Sequence, residues 1–203
     1  ETIRDNALAV SGLLCRAMYG LPVMQYHPPN VWRSGGRNQP TWKAADDEDR
    51  FRRGIYVVWK RAAPYPSFMN FDAPDRSSCT VGRPRSNTPL QALTLLNDPA
   101  YVEAAAAFAD RVLREAPEAN DAARIDYAMK LAVTRPASPD ETVRLLELLA
   151  EQRKLLSVAP ELAEQRVAAA SAALPDVDRD NVELAAWFAV THVLLNLDEF
   201  VTN

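Results

Sequence analysis

Apolar residues recur at helical spacing through most of this 203-residue chain, and the pattern fails in one long stretch near the beginning. Ile3, Ala7, Val10 and Leu14 fall three or four apart, which predicts an amphipathic helix over residues 1–19, ended by Gly20 and Pro22. From Leu21 to Asp49 there is little periodicity; HPPN, SGG and QP break the chain, and Trp32 and Trp42 favour an ordered loop packed on the body. Residues 50–62 read both ways: IYVVW has strand propensity, whereas Phe51, Ile55, Val58, Trp59 and Ala62 share one helical face, and helix is the expectation. A proline-rich loop follows to about Pro84.

Beyond this point the helix starts are explicit. Thr88-Pro89-Leu90-Gln91 places a capping hydroxyl before a first-turn proline, Asp98-Pro99 repeats the cap, and Ser138-Pro139-Asp140-Glu141 is a full capping box. Val102, Ala105, Ala106, Ala109, Val112, Leu113 and Ala116 form one apolar stripe whose alanines allow close helix approach, and Ile125, Ala128, Met129, Ala132 and Val133 form the next. Further helices are predicted over 139–157, 161–173 and 181–196, the last apolar almost all round and therefore central. The expected fold is all-α, an irregular helical bundle with a long ordered loop-rich N-terminal region: one domain, with a motif region over 1–86 and a bundle over 87–203.

Charge divides along the same line. Residues 1–89 carry 13 Lys/Arg against 8 Asp/Glu, and residues 90–203 carry 10 against 19. The early basic residues are scattered and offset by Asp46, Asp47, Glu48 and Asp49, so a nucleic-acid partner is not expected; arginines bridging carbonyls and carboxylates explain them better. The longest apolar run, Leu184 to Leu195, is shorter than the about 20 residues a membrane span needs. Cys15 and Cys79 lie in no CxxC or CxxCH motif, so neither zinc nor covalent haem is encoded and no cofactor is expected in this chain; burial and a disulfide remain alternatives for the two thiols. A chain beginning at Glu1 within a helical pattern is expected to be cut from a longer protein.

IRDNALAVSGLL (3–14), RRGIYVVWKRAAPYPSFMNFDAPDR (52–76), NTPLQALTLLND (87–98) and LLNLDEFVTN (194–203) together resemble the DUF1553 family, also called PSD1. FDAPDR followed by a cysteine and then NTPLQAL is the specific part of that likeness. The resemblance implies the C-terminal part of an exported planctomycete-type multidomain protein, periplasmic or extracellular. Such proteins commonly carry a neighbouring DUF1549-like domain and often an upstream cytochrome-c-like domain that would hold any haem, sometimes with carbohydrate-binding modules. It implies a context of polysaccharide capture or breakdown and no particular reaction.

Two function classes follow. In the first, a binding and assembly module, Tyr56, Trp59, Lys60, Arg61, Tyr65 and Phe68 combine aromatic faces with cations that can dock on a neighbouring domain or stack on sugar rings; core packing is the competing use. In the second, an enzyme module, Asp72, Asp75, Arg76 and His27 line a cleft acting on a carbohydrate or other polymer. Asp72 and Asp75 could serve as acid and base, or bind a hard cation with help from Asn70, Asn87 or Asp98; turn capping and arginine pairing compete. His192, in the most apolar helix, is expected to be a satisfied core residue, and the Asn87 and Gln91 carboxamides to satisfy backbone groups at a helix start.

Overall fold

The structure is a computed structural model that describes residues 1–26, 43–60, 64–74, 76–84, 86–170, 173–175 and 179–202. Its described residues are helical or irregular, and the fold is all-α. Two compact units can be distinguished, Glu1–Asp5 with Leu14–Thr94 and Asn6–Leu13 with Leu95–Asn203. Helices are numbered in chain order: α1 (Thr2–Ser11), α2 (Pro66–Asn70), α3 (Pro89–Asn97), α4 (Pro99–Glu115), α5 (Asp121–Val133), α6 (Pro139–Val158), α7 (Pro160–Ala169), α8 (Asn181–Leu195) and α9 (Asp198–Thr202).

The second unit is a bundle around α8, which packs against α4, α6 and α7 and more lightly against α5 and α9. Trp187, Val190, Leu194 and Leu195 of α8 are fully buried, as are Phe108, Ile125, Met129, Leu149 and Leu156 from the surrounding helices. Ala104 to Ala107 and Ala109 are buried on α4, so the backbones of α4 and α8 come close enough for the Thr191 hydroxyl to donate to the Ala105 carbonyl at 2.8 Å. Asp110, also buried, is matched by Arg114 at 2.6 Å and Arg179 at 3.3 Å.

Helix starts follow the sequence. The Asp98 carboxylate accepts from Ala100 N, Ser138 and Glu141 complete their reciprocal box, and Thr88 and Gln91 make another at α3. Asn120 and Asp180 cap α5 and α8.

Two expectations are corrected. The first helix stops at Ser11 instead of running to residue 19, because Gly12 takes φ +83°, the left-handed conformation that ends helices, and Arg111 Nη1 caps the freed Val10 carbonyl at 2.8 Å. Residues 50–60 are not a helix. Two short 3-10 turns, Glu48–Phe51 and Gly54–Tyr56, lead into extended backbone. Cys15 N donates to Phe51 O at 3.1 Å, Val23 N to Tyr56 O at 2.7 Å and Val58 N to Val23 O at 2.8 Å. Gly54 explains part of the break: a Cβ there would lie 2.9 Å from Glu1 Cβ and 3.1 Å from the Phe68 ring, and its N–H is taken by Asp5 Oδ1 at 2.7 Å. The β-branched Val57 and Val58 then favour extension.

If close α4–α8 packing holds the bundle together, Ala105→Leu should destabilise by roughly 1–3 kcal/mol or more through overpacking. Leu149→Ala should cost about 2–5 kcal/mol through the cavity it leaves. Urea unfolding followed by circular dichroism measures both, and a neutral Ala105→Leu would contradict the packing described.

Candidate functional site

The chemistry-bearing residues of the motif region all belong to the first unit, where few backbone groups find partners in regular structure. Arginines take that role. Arg4, almost wholly buried, donates from Nη1 to Arg52 O at 2.8 Å and from Nη2 to Arg50 O at 2.7 Å. Arg52, also buried, donates to Leu21 O at 3.1 Å and to Ala17 O at 3.4 Å, and its Nη2 also reaches Tyr19 O. The guanidinium stacks 4.0 Å above the Tyr56 ring, whose hydroxyl accepts from Tyr19 N at 2.8 Å. One planar fork thus holds three carbonyls of a single loop, which a lysine ammonium cannot imitate. Tyr19 sits at φ +67° and Gly20 at +88°, so the loop is fixed in a backbone form that a side chain such as tyrosine adopts at a cost.

The side chains this loop presents are Met18, Tyr19 and Leu21, exposed by 60, 81 and 84%, and Ile55, beside Tyr56, is 74% exposed. Met18 and Tyr19 fall within the stretch expected to be helical over 1–19, Leu21 just beyond it, and Ile55 on the expected helical face of 50–62; the first helix ends at Ser11 instead, and the arginine-held loop turns Met18, Tyr19 and Leu21 outward.

Of the six residues expected to form a docking face, Tyr65 and Phe68 lie in the interior. They meet edge to face at 5.0 Å between ring centroids and form a small core with Val57 and Ala73. Tyr56 is half-buried beneath Arg52. Trp59 is half-buried against that core, its Nε1 enclosed without a hydrogen-bond partner, and the Arg76 guanidinium covers its ring at 4.6 Å. Lys60 is half-buried, and Arg61 lies outside the described residues.

Of the four candidate catalytic residues, His27 and Asp75 also lie outside the described residues. Asp72 clamps a loop. At φ +57°, a region aspartate tolerates better than most side chains, it accepts from Ser86 N at 2.8 Å and Ser86 Oγ at 2.7 Å, fourteen residues away. Gln91 extends the clamp, donating from Nε2 to Asn70 O at 2.9 Å and to Ser86 Oγ at 3.0 Å while its Oε1 receives Thr88 N. Asn70 in turn donates to Thr94 Oγ1 at 2.8 Å. The Ser86 hydroxyl and amide hold the Asp72 carboxyl below its ordinary value, which suits a permanent acceptor better than a proton shuttle.

Arg76 and Arg83 share Glu1, at 3.5 and 2.6 Å. Burial raises the Glu1 carboxyl, and the hydrogen bond it accepts from Arg83 pulls it down. Every residue from Arg76 to Pro84 is exposed. Exposed ion pairs contribute about 0–1 kcal/mol each, whereas the left-handed Arg76, at φ +61°, costs roughly 1–2 kcal/mol.

Elsewhere, Cys15 is half-buried and Cys79 exposed, both as free thiols. His192 behaves as a satisfied core residue: Nε2 lies 3.0 Å from Leu95 O, the ring tilts against Phe188, and burial pushes its basicity down against the pull of that carbonyl. Among the described residues, no group of three or more His, Cys, Asp or Glu is placed to hold a metal ion, and no helix is long and apolar enough to cross a membrane.

The class these observations define is an all-α domain whose irregular motif region is held by buried arginines and clamped loops. Residues 1–149 match the family described as PSD1, protein of unknown function (DUF1553), and the chain belongs to that family. No curated protein and no solved structure matches it.

The Asp72 clamp has a pH signature. Its lowered carboxyl contributes stability above the ordinary carboxylate range, and this is lost as pH falls through the folded value. Asp72→Asn should therefore flatten the acid limb of the wild-type stability curve while leaving the neutral-pH midpoint only slightly lower, as thermal melts between pH 2 and 7 would show. An acid limb identical in the two proteins would contradict the clamp.

Proposed function

We propose that this chain is a docking module of an exported multidomain protein, placed in polysaccharide capture or breakdown, and that it seats a neighbouring DUF1549-like domain of the same polypeptide. The observation that supports this most is the loop from Ala17 to Leu21: a buried arginine and a tyrosine hydroxyl are committed to fixing a strained backbone whose only outward product is exposed apolar surface. A prearranged surface of that kind lowers the ordering cost of association, and large apolar side chains are the usual anchors. The docking face is accordingly moved from Tyr65 and Phe68, which are core, to Met18, Tyr19, Leu21 and Ile55. Asp72 gives a catalytic reading little support, since the Ser86 amide and hydroxyl both donate to its Oδ2 and hold the carboxyl below its ordinary value.

Calorimetric titration of the neighbouring domain into this one tests the proposal. Leu21→Ser combined with Ile55→Ser should weaken binding by about tenfold or more, with the unfolding midpoint nearly unchanged because neither side chain is buried. Wild-type affinity in the double variant would count against it.

A further inference from the structure

We propose that residues Arg76 to Pro84 are a displaceable strap over Trp59, latched by the Glu1 carboxylate. Three observations meet here. The segment is exposed along its whole length, with Val81 fully in solvent, so it adds little to any core. It is tied down by charge: Arg83 and Arg76 both reach Glu1, and Asp72 holds Ser86 just beyond. What it covers is an aromatic ring with an unused donor, since the Arg76 guanidinium lies over the Trp59 indole and Nε1 is enclosed without a partner. A buried N–H left unpaired is costly in a resting structure and becomes useful once an acceptor can reach it. With the latch released, the left-handed backbone at Arg76 relaxes, the guanidinium leaves the ring, and Trp59 offers a flat apolar face beside a hydrogen-bond donor. This device is separate from the apolar loop proposed to dock a neighbouring domain, and its test needs no partner.

The protein labelled with 5-fluorotryptophan reports the strap directly, because the fluorine resonance of each indole shifts between H2O and D2O in proportion to its exposure. Trp59→Phe assigns the resonance, and the fully buried Trp187 serves as the control for an intact fold. Arg76→Ala should give the largest rise in the Trp59 isotope shift. Glu1→Gln and Arg83→Gln should each raise it part of the way, as should added salt in the wild type, while Trp187 stays unmoved. If Glu1→Gln perturbs the Trp187 resonance, Arg83→Gln and the salt series decide. A Trp59 shift that stays at its low-salt wild-type value in Arg83→Gln and at high salt overturns the latch. A shift unchanged in Arg76→Ala overturns the cover itself.

Discussion

Backbone carbonyls without a ladder are the constraint on which the first unit depends. Its extended segments make isolated contacts such as Val23 N to Tyr56 O, and carbonyls at 17, 19, 21, 50 and 52 are met by guanidinium groups. Burying an arginine is expensive unless its donors are used, and Arg4 and Arg52 each leave Nε without a hydrogen-bond partner. The arrangement persists because each fork satisfies two or three acceptors that would otherwise be stranded, a cost repeated at every carbonyl. Arg4 and Arg52 are thus a scaffold for irregular chain, in line with the scattered placement of the basic residues.

The second unit solves the same problem in the ordinary way, with helices, and several of its ion pairs engage helix starts. Arg153 of α6 pairs with Asp121 at the start of α5 and Glu183 at the start of α8, and Glu183 also accepts from Trp187 Nε1 at 2.9 Å. Arg135 joins Glu141 of the capping box to Glu199 of α9, and its hydrogen bonds lower the Glu141 carboxyl to about 2. These groups are partly exposed, so their role is to fix which helix ends meet, and most of the stability comes from the buried side chains of α4, α6 and α8.

The helical part was legible because its signals are local. Proline after a capping Asp, Ser or Thr marks α3, α4 and α6 to within a residue, and the all-round apolarity of α8 announces its central place. The motif region was legible as irregular and as arginine-held, and Gln91 as a backbone partner. What local signals could not carry is long-range pairing. Whether Gly12 or Gly20 ends the first helix depends on Arg111, about a hundred residues on, meeting the Val10 carbonyl. Whether IYVVW extends depends on Val23 lying alongside. The burial of Tyr65 and Phe68, and the exposure of Met18, Tyr19 and Leu21, follow from those pairings, so the surface proposed for docking could not be read from aromatic content alone.

The docking proposed for this family member rests on the 17–21 loop being preformed by Arg52, and amide hydrogen exchange at Tyr19 measures that most directly. Its N–H is bonded to the Tyr56 hydroxyl although the side chain stands in solvent. A loop preformed by Arg52 predicts a Tyr19 amide clearly protected in the wild type and exchanging freely in Arg52→Lys, with the α4 and α8 amides equally protected in both. A wild-type Tyr19 amide that exchanges as fast as an unstructured peptide would contradict it.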